Sequence, residues 1–221
     1  MDLYIALSEF AQRKFIDGGL PANRIVVKPN FVSPDPGVGT GRGNYALFAG
    51  RVSTEKGIPV LASAWSELAQ IPLVIAGDGP LSGTEWPQGV SWIGRQSRAK
   101  LMALMRDARV LIFPSGCYEG APMTIVEAFA CGLPVIASNL GSMAEMVAHE
   151  RTGLLFNPGD AADLARKVRW AFEHPEAIDA MRVAARREFE EKYTAERNYE
   201  MLTAIYETAI ENARRKARAA S

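Results

Sequence analysis

Short apolar runs rich in β-branched residues alternate along the chain with longer stretches whose apolar positions recur at helical spacing. The runs RIVVKP, YALFAG, PLVIAG, VSWIG, RVLIFP, LPVIAS and TGLLF read as strands. Between them, GIPVLASAWSELAQ, SRAKLMALMRDA, PMTIVEAFACG and GSMAEMVAHE read as helices. This alternation predicts the α/β class, a doubly wound parallel sheet of Rossmann-like type. After FNPGD the pattern changes: Asp160 is placed to cap AADLARKVRWAFEH, and two further helices lead to the basic tail ENARRKARAAS. The basic run there reads as a solvated helix end that suits the dipole.

The beginning of the chain fits this pattern less well. DLYIAL reads as a strand, and SEFAQRKFIDGG as a capped amphipathic helix with a Gly stop. One strand and one helix cannot bury a core alone, so residues 1–30 are expected to be the end of a preceding domain. Residues 31–44, dense in Pro and Gly and without periodicity, read as a linker. The α/β domain proper is then 45–193, and 194–221 form a C-terminal helix.

Charge changes the picture by what it excludes. Lys plus Arg and Asp plus Glu both number 25, so bulk charge favours neither nucleic acid nor an anionic membrane as partner. No window approaches the roughly 18 apolar residues of a membrane span, and MDLYIALSEFAQRKF lacks the layout of a signal peptide, which predicts a cytoplasmic chain. Cys117 and Cys131 form no CxxC pair and are expected to be small buried thiols, with no disulfide framework and no metal site.

Ligands of open α/β sheets bind beyond the carboxyl ends of the strands, so the residues just after each strand are the candidates. YALFAG, ending in Gly50, is followed by Arg51 and Lys56, two cations suited to a diphosphate, although each could equally be a surface partner of Glu55 or Glu67. PLVIAG, ending in Gly77, is followed by a tight DGP turn that permits close backbone approach. RVLIFP is followed by SGCYEGAPMTIVEA, where Gly120 and the small Ala121 let a phosphate reach a helix start near Pro122. Glu119 stands at the mouth of that turn, either as a ligand group or as an ordinary helix-start acid. Glu127, eight positions on, could accept from vicinal hydroxyls such as those of a ribose. A solvated face is hard to find for it within TIVEAFACGLPV, so its carboxylate needs a partner. There is no GxxxxGK[ST] and no GxGxxG after a strand. Ser115 lies in no nucleophile elbow, His149 and His174 are not placed as a triad base, and the tryptophans are scattered.

Taken together, FAGRVSTEKGIPVL, LVIAGDGP, VSWIGRQSRAKLMALM, IFPSGCYEGAPMTIVEAFACGLPVIAS and RTGLLFNPGDAADLA occur in the order of the C-terminal, donor-binding domain of family 4 glycosyltransferases of GT-B architecture, which residues 40–215 strongly resemble. Glu119 and Glu127 match that family's E-x7-E. The resemblance implies a nucleotide-diphosphate sugar as donor and transfer with retention, with no cofactor or metal. It assigns Arg51 and Lys56 to the diphosphate and its leaving charge, Glu119 to the donor sugar and Glu127 to the ribose. Gly50 and Gly77, with the backbone of Gly120, Ala121, Met123 and Thr124, complete the donor site, Pro122 having no N–H. The base lies near Gly94, Arg95, Gln96, Ser97 and Arg98; the absence of an acid in that loop leans to UDP over GDP. The acceptor pocket belongs to an N-terminal domain, of which residues 3–32 resemble the end, or to a partner chain. The last helix resembles the one that crosses back to that domain, so its apolar stripe, Met201, Leu202, Ile205 and Ile210, is expected to be partly exposed and open to self-association. The full-length enzyme could lie peripherally on a membrane, and this chain by itself is expected to transfer little. The alternatives are a stand-alone nucleotide-sugar-binding module that needs a partner chain and an epimerase of the same architecture.

Overall fold

A computed structural model describes residues 3–219. The elements run β1 (Tyr4–Ala6), α1 (Glu9–Asp17), β2 (Ile25–Val27), β3 (Ala46–Ala49), α2 (Ile58–Trp65), β4 (Leu73–Ala76), β5 (Val90–Trp92) and α3 (Arg98–Asp107). They continue with β6 (Val110–Phe113), α4 (Met123–Ala130), β7 (Val135–Ser138), α5 (Gly141–Met146), β8 (Gly153–Phe156), α6 (Ala161–Glu173), α7 (Pro175–Lys192) and α8 (Ala195–Ala219). Strands β3 to β8 form one parallel sheet in the order β5-β4-β3-β6-β7-β8, while β1 and β2 pair separately. The chain thus moves outward from β3 to one edge, returns to the centre at β6, and runs out to the other edge. Its topological switch point lies between β3 and β6, where an open α/β sheet forms its crevice.

Alternation along the strands builds two core layers. Leu47, Ala49, Leu111, Phe113, Val135 and Ala137 point to a layer closed by α3, α4 and the end of α7. Ala46, Phe48, Val110, Ile112, Ile136 and Leu154 point to the other, closed by α2, α6 and the start of α7. Helix α2 ends at Trp65, short of the predicted Gln70. Trp65 is fully buried and donates its indole N–H to the Ile71 carbonyl at 2.9 Å, which turns the chain into β4 instead of prolonging the helix.

Residues 31–44 contain no helix or strand, yet they are held down along their length. The amides of Val32, Gly39, Gly41 and Gly43 donate to the carbonyls of Tyr193, Cys131, Arg106 and Asp107 at 2.8–3.1 Å. Gly39 is required for this path, because a Cβ there would lie 2.0 Å from the Arg106 oxygen. Arg186 fastens the segment through both Asp35 oxygens, at 2.8 and 2.6 Å. Cys131 is buried, and burial pushes its thiol up to about 12, whereas Cys117 is only half-buried because it lies in the open loop after β6. On α8 the side chains of Met201, Leu202 and Ile205 are half-buried, and Tyr199, Tyr206 and Ile210 are exposed.

Candidate functional site

The crevice follows from the sheet. β3 pairs with β4 over four residues but with β6 over only two, Ala46 with Val110 and Leu47 with Leu111, so the β3–β6 ladder stops short of the carboxyl ends of these strands. Two cavities open there. One, of about 190 Å³, is lined by Gly50, Lys56, Phe113, Ser115, Glu119, Met123 and Thr124, among others. The second, of about 350 Å³, shares Gly50 with it and is lined by Arg51, Gly77, Asp78, Arg95 and Gln96. Gly77 must be glycine, since a Cβ would meet the Gly50 oxygen at 1.8 Å, and its amide is taken by the carbonyl of Gly94 at 2.9 Å. This contact brings the loop after β5 against the crevice.

Lys56 and Glu119 meet across the switch point. Lys56 Nζ lies 2.5 Å from Glu119 Oε1 and 5.8 Å from the centre of the Phe113 ring, and Ser115 Oγ donates to the same carboxylate oxygen at 2.8 Å. The two charged side chains are 28% and 15% exposed, so the pair is largely shielded. Arg51 differs: it stands 3.9 Å from Glu55 with both side chains well exposed, an arrangement worth little and easily exchanged for another anion.

Helix α4 begins behind Glu119. Its first internal amide, Ile125, returns to the Pro122 carbonyl, whereas among the described residues no acceptor takes the amides of Gly120, Ala121, Met123 or Thr124. Unpaired N–H groups at the positive end of a helix make a site for an anion. The carbonyls of the same turn are fully engaged: Glu119 O accepts from Ser142 Oγ at 2.6 Å, Gly120 O from Ser8 Oγ at 3.0 Å and Ala121 O from Asn30 Nδ2 at 3.1 Å.

Glu127 lines neither cavity; it lies one turn into α4, with its side chain 12% exposed. Its partner is Arg98, whose Nη1 donates to Oε1 at 3.1 Å. The partner that its burial calls for is thus found within the chain, on α3. Burial pushes the Glu127 carboxyl up, and Arg98 pulls against that shift. Arg98 is the first residue of α3, which has no acid in its first turn. A cation at that end of a helix opposes the dipole, so its placement is explained by Glu127 and not by α3 itself.

Of the residues chosen from sequence, Gly50, Arg51, Lys56, Gly77, Arg95, Gln96, Glu119, Met123 and Thr124 line the crevice, Gly94 is bonded to Gly77 at its edge, and Gly120 and Ala121 form the turn between Glu119 and Met123, with Ala121 lining a separate cavity of about 500 Å³ beside Ser8 and Asn30. Sequence reading missed Arg98 as the Glu127 partner, and missed Ser8, Asn30 and Ser142 altogether. None carries a motif; each reaches the site by a single hydrogen bond to a distant residue, Ser8 doing so in addition to capping α1.

The profile of the family described as glycosyl transferases group 1 matches residues 38–188. Among curated proteins, the chain is similar to D-rhamnosyltransferase WbpZ of Pseudomonas aeruginosa, 28% identical over 160 residues, which cover 68% of this chain and 42% of that protein. It is also similar to D-inositol 3-phosphate glycosyltransferase of Pseudarthrobacter chlorophenolicus, 34% identical over 158 residues, which cover 64% of this chain and 37% of that protein. The fold matches Anabaena Alr3699/HepE, solved in complex with UDP and glucose, with a TM-score of 0.81 at 22% identity over 93% of this chain and 63% of that one. The chain therefore spans less than half the length of either curated relative.

Proposed function

The chain belongs to the glycosyl transferases group 1 family and has the Rossmann-like sheet of GT-B glycosyltransferase structures, and from this premise we propose that it is the donor-binding, C-terminal half of a retaining family 4 enzyme. The observation that carries this reading is the convergence, at one crevice, of Lys56 with Met123 and Thr124, whose amides are unpaired, as are those of Gly120 and Ala121 in the turn just before them. A diphosphate fits that combination, since preorganised amides and a cation bind its resting charge and stabilise the further charge that develops as the sugar leaves.

In this reading Lys56 turns from Glu119 to the diphosphate, and Arg51 closes over it from the neighbouring cavity. Glu119, released, faces the donor sugar. Glu127 accepts from the ribose hydroxyls through the oxygen that Arg98 leaves open. The base rests on Gly94 to Arg98, with UDP favoured over GDP; a UDP complex of a protein of the same fold supports that preference. No metal is assigned a role, because the side-chain cations meet the leaving charge. The acceptor site is assigned to an N-terminal domain or partner chain, consistent with the fraction of the relatives' length that this chain spans.

Calorimetric titration with UDP, GDP and ADP tests the reading, repeated on Arg51→Ala and Lys56→Ala. Selective binding that Lys56→Ala reduces by about tenfold or more, the weight of one charge-assisted contact, is the expected result. Binding unchanged in both variants, or no binding of any nucleotide, would overturn it.

A further inference from the structure

Three consecutive carbonyls, those of Glu119, Gly120 and Ala121, each accept a hydrogen bond from a side chain of a different part of the fold. Ser142 comes from α5, Ser8 from the turn that opens α1, and Asn30 from the segment after β2. Ser8 and Ser142 are buried, at 3% and 0% exposure. In a trans peptide the C=O and the following N–H point in opposite directions. Anchoring the carbonyl of Glu119 therefore aims the amide of Gly120, and anchoring that of Gly120 aims the amide of Ala121. Both amides lack an acceptor. A loop free to choose would rotate such peptides to pair them.

We propose that Ser8 and Ser142 are positioning residues that hold the Gly120 and Ala121 peptides with their N–H groups turned toward the crevice, presetting it for a phosphate-bearing ligand; Asn30 holds the next peptide, which runs into Pro122 and has no N–H to aim. The inference rests on the anion reading of the crevice given above and adds to it the groups that aim the donors. Neither serine touches the ligand. Ser8 lies in residues 3–30, so the geometry of the cradle depends on that segment being docked. Its docking is reinforced by Glu145 of α5, whose two carboxylate oxygens accept from the amides of Glu9 and Phe10 at 2.8 and 2.7 Å.

The test compares UDP with uridine, which lacks the phosphates, on the whole chain. Ser8 also caps α1 by accepting from the Ala11 amide, so Ser8→Gly is the variant of choice: glycine is tolerated at that position with little loss of helix stability, yet cannot donate to Gly120. Ser8→Gly and Ser142→Ala are each expected to weaken UDP by roughly fivefold, the weight of one hydrogen bond, with uridine unchanged. Ser8→Thr, which keeps the hydroxyl, is expected to restore UDP affinity. If Gly120→Ala weakens UDP but neither variant does, the positioning role fails while the cradle stands. If a variant weakens UDP and uridine equally, the residue is merely structural and the proposal falls. If the unaltered chain binds UDP no better than uridine, the cradle itself is wrong, and the proposal with it.

Discussion

Replacing Arg98 by Gln isolates the cost of keeping Glu127 charged inside the fold. The two side chains are 3.1 Å apart, for which Coulomb attraction is about 1.3 kcal/mol in bulk water and about 5 kcal/mol at an effective dielectric of 20. Arg98 is 57% exposed and Glu127 12%, so solvent screens the pair strongly, and a loss of about 1 kcal/mol is expected. That corresponds to a fall of about 2–4 °C in Tm for a domain of this size. The pH dependence has a definite sign. Burial raises the Glu127 carboxyl above its ordinary value, so in the window between the unfolded and folded values the native state holds the extra proton. Stability from this group is therefore fully present below the unfolded value and is lost as pH rises through the folded one. Removing Arg98 raises the folded value further and widens the window. Thermal unfolding from about pH 4 to pH 8 should show Arg98→Gln matching the unaltered chain in acid and falling progressively below it toward neutrality. The gap should vanish in a Glu127→Gln background, where there is no charge to neutralise. A gap independent of pH, or one that persists in that background, would refute the argument.

Two further outcomes test the site and its support. A methyl at Gly120 meets no atom within 4 Å and the residue is not left-handed, so Gly120→Ala, which keeps the N–H and obstructs only close approach of a ligand, should leave stability within about 0.5 kcal/mol while weakening UDP binding by about tenfold, as read by calorimetry; equal affinity would show that no ligand packs against Gly120. Arg186 is mostly buried and holds both Asp35 oxygens and the Ala130 carbonyl, so Arg186→Ala should cost about 2–3 kcal/mol and open residues 33–43 to limited proteolysis, and an unchanged cleavage pattern would show that the strap is held by its backbone bonds alone.

What could be read from the sequence is what repeats or what is excluded. The strands of the main sheet were visible because buried parallel strands are continuous apolar runs, and the crevice residues because loops after such strands face the ligand side. The burial of Glu127 was visible as a charge with no polar neighbours. Its partner was not: Arg98 is 29 residues away, and a single ion pair leaves no periodic trace. The same holds for Ser8 and Asn30, which reach their carbonyls across 112 and 91 residues. Residues 31–44 illustrate another limit. Glycines that let a strap pass close to helix ends have the same composition as glycines that let a linker swing, and only the acceptors at Arg106, Asp107 and Cys131 separate the two.

The two-pair ladder between β3 and β6 makes the main sheet a pair of leaves joined along a short spine. One leaf carries Arg51 and Lys56, the other Glu119 and the opening of α4, and beyond the spine they meet through the Lys56–Glu119 pair and through the Glu55 carbonyl, which accepts from the Gly116 amide and the Ser115 hydroxyl. Spreading of the leaves stretches the Lys56–Glu119 contact and the two bonds to the Glu55 carbonyl, yet breaks no strand pairing. A small rigid molecule that bonded to both leaves would act as a wedge of fixed length: its size would set the gap, and the stiffness of everything attached to either leaf would follow from it.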